Sequence, residues 1–189
     1  MTYLESSSER SDTSETSGSV GGAAGAARPA RVGSPADTAR QCCEVLSRAG
    51  PLAALRFLNA RTRFRFTGVY RAEPPYLRNL YLFDRENPAL NVSGDVSNLD
   101  DTFCAIPCIQ NGPFGTPNTL RDERLAAHAA RERVRSYCGV PIRLDSGCVW
   151  GTLCHFDVRP RLVSPSETEV LLLVASGLAP RLIQLVPVS

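Results

Sequence analysis

The sequence predicts a mixed α/β domain with a mostly antiparallel central sheet and helices at both ends, and three observations predict it. Ile142 to Leu144 and Val149 to Phe156 are rich in β-favouring residues, and Asp145-Ser146-Gly147 between them supplies turn chemistry, so Ser136 to Asp157 reads as a hairpin. The second run of that hairpin is apolar at almost every position, with Cys148, Trp150, Cys154 and Phe156 on one face and Val149, Leu153 and His155 on the other; a strand covered on both faces looks like this. Helix signals bracket the chain, before Phe57 and after Ser164. Gly151 sits mid-strand, where a missing side chain marks a close approach to the backbone.

The elements follow in order. Residues 1–36 are Ser, Thr, Glu, Gly and Ala with almost no large apolar side chains after Leu4, too little to offset the entropy of ordering, and are expected to be a disordered tail ahead of a domain at 37–189. From Asp37, Cys42, Leu46, Leu55 and Leu58 recur at helical spacings, interrupted by Gly50-Pro51: a helix, a break and a second helix. Arg61, Arg63 and Arg65 then alternate with Phe64 and Phe66 as a strand reaching Tyr70, which pairs with Leu77 to Phe83 across Glu73-Pro74-Pro75. The arginine row is the wet side of that strand or a phosphate-binding face. Asp84 to Asp101 reads as a loop leading to a short helix capped by Asp or Thr and ended by Pro107. Ile109 starts a weak strand closed by Asn111-Gly112, Gly112 to Gly115 is a turn, and Thr116 to Arg135 is polar and helix-compatible. Ser164-Pro165-Ser166-Glu167 combines a capping box with Pro at the first helical position, and introduces the apolar run Val170 to Val186, which stops near Pro187.

Composition narrows the function classes. Every one of the 21 basic residues is Arg, 19 acidic residues nearly balance them, and no basic run stands out, which argues against a nucleic-acid binder. No segment approaches the ~18–20 continuous apolar residues of a membrane helix, and the N-terminus lacks a secretory signal pattern, so a cytoplasmic protein with no membrane partner is expected. Seven cysteines, an odd number without paired spacing, are expected to be free thiols. Cys104, Cys108, Cys138 and His155 lack the Cys-x-x-Cys pairing of structural zinc sites, and no metal is expected. No Ser-His-Asp set and no Gly-rich phosphate loop is present.

Six motifs in order carry a resemblance: Thr102-Phe103-Cys104, Asp122-x-Arg124, Ser136-Tyr137-x-Gly139-Val140-Pro141, Gly151-Thr152-Leu153-Cys154, Asp157-x-x-Pro160-Arg161 and Ser164-Pro165-x-Glu167. Together they make Asp37 to Leu185 resemble a GAF domain. The resemblance implies terminal helices packed on one face of the sheet and a small-molecule pocket on the other, under connecting loops. It also implies that the helices pair two copies into a homodimer, and that the domain senses a ligand rather than catalysing a reaction, with output passed to the dimer or to a separate protein. Which ligand or cofactor it takes is not readable from these residues. A minority of GAF domains are enzymes, and the free methionine-(R)-sulfoxide reductases among them use thiol chemistry over the pocket. That alternative would draw on Cys104, Cys108 and Cys138.

The residues expected near a ligand are Cys104, Asp122, Arg124, Tyr137, Cys138 and Trp150. Arg124 can pair with a carboxylate or phosphate, and Tyr137 and Trp150 can stack while offering a hydrogen bond. Asp122 and Arg124 serve equally well as a structural ion pair within a loop, and Trp150 as plain core. Cys154-His155 resembles the Cys-His pair that tethers bilins, but inside a strand the cysteine reads as a small hydrophobe. The run Leu171 to Val174 is apolar beyond a single stripe, so a second surface is expected to cover part of the last helix.

Overall fold

The computed structural model describes residues 33–90 and 93–185, with side chains from 179 onward described only for Arg181; the expected tail falls largely outside these bounds. Helix α1 (Pro35–Ala60) starts two residues ahead of the expected boundary at Asp37. Ser34 sets that start: its hydroxyl accepts from Asp37 N at 3.1 Å, and Pro35 takes the first-turn position where no N–H is needed. The break falls where the sequence places it, with Gly50 at φ 82° and ψ 178° and Pro51 opening the second half.

Six strands form one sheet in the order β3-β2-β1-β6-β5-β4: β1 (Phe66–Glu73), β2 (Tyr76–Asp84), β3 (Val96–Asn98), β4 (Phe114–Thr116), β5 (Ser136–Arg143) and β6 (Val149–Asp157). Every pairing is antiparallel. The hairpins β1–β2 and β5–β6 meet edge to edge, so β6 lies at the centre between β1 and β5. Gly151 is opposite Arg71 there, and a Cβ on it would sit 2.0 Å from Tyr70 O and 3.0 Å from Arg71 Cα. What approaches the missing side chain is the neighbouring strand's own backbone.

Two cores result. On one face α1 and α3 (Pro165–Leu185) pack Leu46, Leu55, Leu58, Leu171 and Val174 onto Val69, Val140 and Leu153. Gly177 allows the two helices to meet, for a Cβ there would stand 3.0 Å from Cys43 Sγ. Within the run Leu171 to Val174, Leu171 and Val174 are buried, Leu172 is half-buried and Leu173 is 39% exposed, so α1 and the sheet cover most of what the pattern assigned to a second surface. On the opposite face Leu77, Phe103, Phe114, Leu125 and Tyr137 form the second cluster, under α2 (Ala105–Gln110) and the loops around it. No helix among the described residues is long and apolar enough to cross a membrane.

Several local expectations are corrected. Residues 61–65 are a turn rather than a strand; Arg65 grips Asp84 with two hydrogen bonds of 2.8 Å, Arg61 faces Glu167 at 3.5 Å and Arg63 is exposed, so the three arginines do not share one strand face. The expected loop before Asp101 contains edge strand β3. Pro107 lies in the first turn of α2, where a missing N–H breaks nothing, and the helix continues through Ile109 to an Asn111 cap at φ 50°. Phe114 to Thr116 is strand β4 rather than a turn, and the polar run after it holds two short 3-10 turns, Thr119–Arg121 and Glu123–Leu125. Glu167 does not reach back as a capping-box partner; it turns inward and is 9% exposed.

The strands are locked at one end by buried polar side chains. Asp157, 1% exposed, accepts from Arg65 N at 3.0 Å, Arg159 N at 2.9 Å and Arg161 Nε at 2.6 Å. Asn59 donates to Phe64 O at 3.0 Å and to Thr67 Oγ1 at 2.8 Å, and accepts from Arg85 Nε at 2.9 Å. Replacing Gly151 by Ala forces the β1 and β6 backbones apart. We expect a loss of about 3 kcal/mol in urea unfolding, more than overpacking against a yielding side chain gives; an unchanged midpoint would refute the backbone contact.

Candidate functional site

The face of the sheet away from α1 and α3 has a hollow built by register. Gly68 of β1, Cys154 of β6 and Gly139 of β5 stand opposite one another, so three small residues make one row across three strands. The space is shared by two rings on the same face: a Cβ on Gly68 would meet the Tyr70 ring at 2.7 Å, and one on Gly139 the Tyr137 phenol at 2.2 Å. Between these rings, under Thr102, Phe103 and Cys104, lies a mainly apolar cavity of about 60 Å3. Cys154 forms its floor, and Leu77 and Phe156 its sides.

Polar atoms in the cavity converge on one thiol. Tyr137 donates its hydroxyl to Cys104 Sγ at 3.4 Å, and the Cys154 thiol shares the cavity lining with it. Those neighbours, Cys154 foremost, outweigh burial and lower the Cys104 pKa, whereas burial first and Cys104 second push Cys154 well up. Of the two, Cys104 is the one that ionises first. Burial also holds Tyr137 and Tyr70 well above the ordinary phenol value, so both remain hydrogen-bond donors at neutral pH. Phe103 closes the roof, with its ring centroid 4.5 Å from that of His128 and 5.7 Å from that of Tyr137.

The sequence model of the GAF domain family matches residues 61–182, more than half of the chain. The chain belongs to the GAF domain family. Solved structures agree on the fold. The GAF domain of an Acinetobacter phosphoenolpyruvate-protein phosphotransferase superposes with TM-score 0.63 at 16% identity over 80% of this chain and 95% of its own. A free methionine-R-sulfoxide reductase from Neisseria meningitidis, solved with its substrate, gives 0.60 at 15% identity over 78% and 87%. The chromophore-binding domain of a bacteriophytochrome from R. palustris gives 0.60 at 14% identity over 77% of this chain and 59% of its own length. No curated protein matches at the level of sequence. At these identities the structural likenesses establish the fold alone.

Within this GAF domain the expected site residues separate. Cys104 and Tyr137 line the cavity. Cys138 does not: as neighbours in a strand, Tyr137 and Cys138 point to opposite faces, and Cys138 packs in the helix-side core with Sγ 3.4 Å from Thr168 Oγ1. Burial pushes its thiol up to about 11. Cys108 lies on α2 outside the cavity lining, and burial pushes it to about 12. Trp150 is displaced by a bulge: Ile142 faces Gly151 while Arg143 faces Val149, so Trp150 is the extra residue, and its side chain packs against the helix-side cluster. Asp122 and Arg124 form a bidentate pair at 2.6 and 2.8 Å; Arg124 also donates to Gly115 O and lies over Phe114, 4.8 Å from its centroid. They brace β4 from outside and are not among the cavity residues.

Tyr70, Cys154 and Phe156 are cavity residues that the site reading did not include. Alternation along β1 and β6 is the signal that finds them once β6 is known to be central. No group of three or more His, Cys, Asp or Glu among the described residues is arranged to hold a metal ion.

Bonding to the Arg124 guanidinium holds Asp122 at about 2 against an ordinary 3.8. Because the folded value is the lower, the pair's contribution to stability is fully present above the ordinary midpoint and disappears as pH falls towards 2. In Arg124→Ala an NMR titration of Asp122 should return to the ordinary carboxylate range; a midpoint still near 2 would mean that other donors hold it.

Proposed function

We propose that this GAF domain is a non-catalytic sensory or regulatory module of signal transduction. It takes a small molecule into the cavity between Tyr70 and Tyr137, and it acts in the cytoplasm through a homodimer or a separate output protein. The observation that carries this reading is the cavity between the Tyr70 and Tyr137 rings, which the Gly68-Cys154-Gly139 row makes room for by placing glycines on two of three adjacent strands. At about 60 Å3 the cavity is far below the ~300–1,000 Å3 of a pocket for a drug-sized ligand. The reading therefore favours a compact, largely apolar ligand with one polar atom for Cys104 and Tyr137. Dimerisation would use the helix face that carries Leu52 and Leu173, which are 45% and 39% exposed.

The two thiols of Cys104 and Cys154 in one cavity lining favour a second reading, a thiol enzyme of the free methionine-(R)-sulfoxide reductase type. Cys104 would attack the sulfoxide sulfur, Cys154 would resolve the adduct, and the products would be methionine, water and a Cys104–Cys154 disulfide that an external dithiol reduces. Cys138, on the other face, would take no part.

A thermal-shift screen with amino acids, their sulfoxides, nucleotides, haem and bilins separates the two, since a ligand at ~100 times its Kd stabilises the native state by about 2.7 kcal/mol. The sensory reading expects stabilisation by one compact class, lost in Gly139→Leu, with no turnover. Methionine formation from free methionine sulfoxide with dithiothreitol, abolished by Cys104→Ser, would replace it with the enzyme reading. No stabilisation by any compact ligand and no turnover would remove both.

A further inference from the structure

On the opposite side of the sheet, a second depression of about 780 Å3 opens between the C-terminal end of α1, the first turn of α3 and residues 160–164. Its rim carries Arg61, Arg63 and Arg161. Arg61 is balanced by Glu167 at 3.5 Å and Arg161 by Asp157 at 2.6 Å, while Arg63 is exposed and makes no ion pair among the described residues. The first turn of α3 adds the N–H groups of Ser166 and Glu167, which no helix carbonyl takes up. One uncompensated cation beside a helix N-terminus suits a monoanion.

An independent feature lies beneath. His155 is fully buried and stacks on Phe64, with ring centroids 5.8 Å apart. Asn59 donates to Thr67 Oγ1, which leaves the Thr67 hydrogen for His155 Nδ1 at 2.7 Å and so assigns the ring proton to Nε2. That Nε2–H points to Glu167 Oε1 at 3.6 Å, beyond hydrogen-bond range, and neither atom has a hydrogen-bond partner among the described residues. A buried donor and a buried acceptor left open side by side match one chemical group, a hydroxyl, which accepts from the first and donates to the second.

We propose that this groove binds a small 2-hydroxy carboxylate. The carboxylate sits on Arg63 and the α3 N–H groups, and the hydroxyl enters between His155 Nε2 and Glu167 Oε1. Glu167 covers the ring, so it swings aside on entry, stretching only its long contact with Arg61. The site is separate from the cavity on the other face, and its ligand is independent of whatever binds there.

Sodium glycolate and sodium acetate at matched ionic strength test this by calorimetry and by amide NMR of the full chain, since they differ by the hydroxyl alone. Glycolate should bind saturably, about tenfold or more tighter than acetate, the ratio that one hydrogen bond to a charged group gives. Amide shifts should fall on Arg63, Ser166 and Glu167. Arg63→Ala, a surface change, should weaken glycolate about tenfold, and Glu167→Ala, which removes the acceptor of the hydroxyl, should reduce its advantage over acetate. Equal binding of the two anions, no saturable binding, shifts confined to the Tyr70 and Tyr137 cavity, or an Arg63→Ala protein that binds glycolate unchanged would each overturn the proposal.

Discussion

Strand β6 is hydrogen-bonded along both edges and covered on both faces, so every side chain from Thr152 to Asp157 has to find its partner inside the protein. The rest of the architecture follows from that condition. Helices α1 and α3 supply the apolar cover that Leu153 needs, and α2 with its flanking loops supplies the cover over Cys154 and Phe156. Two polar groups of the strand are held firmly: His155 Nδ1 has Thr67, and Asp157 has two backbone N–H groups and Arg161. The Asp157 carboxylate also joins the ends of elements distant in sequence, since Arg65 opens the first hairpin and Arg161 leads into α3.

A central strand of this kind normally fills both faces. Here the helix face does so, while the other face holds the Gly68-Cys154-Gly139 row. Glycine inside a strand costs roughly 0.5–1 kcal/mol relative to alanine, so two of them across from the same cysteine weaken the sheet where it is otherwise best supported. The helix-side core, with Leu58, Val69, Val140, Ile142 and Leu153 at 0–1% exposure, is the natural offset. Stability is concentrated on one face, and space is left on the other.

The sequence carried the long elements well, because their signals are local. Gly50-Pro51, Asp145-Ser146-Gly147 and Ser164-Pro165 each punctuate the chain where the structure breaks or turns, and an unbroken apolar run marks β6 as central. The three-residue strands β3 and β4 escaped, since so few residues carry no period and are held by the partners they pair with. Pro107 misled for a positional reason: the same residue ends a helix from its interior and fits within its first turn. The candidate site was half legible. Tyr137 and Cys104 follow from motif and type, but Trp150 was lost to a bulge that alternation cannot reveal, and Cys138 to the face opposite its neighbour.

The cysteines show why burial and facing matter more than adjacency. Cys154 and His155 are consecutive, and for that reason they point to opposite faces and serve different environments. His155 instead stands across from Cys138 and Thr67 in the register, beneath α3. Cys42 and Cys138 belong to the helix-side core, and burial pushes them to about 12 and about 11, the behaviour of small hydrophobes. Cys104 is equally buried, yet its neighbours, Cys154 first, lower its pKa. Among the thiols whose pKa is shifted, Cys104 alone is lowered, and it shares the cavity lining with the cysteine whose two cross-strand neighbours are glycines.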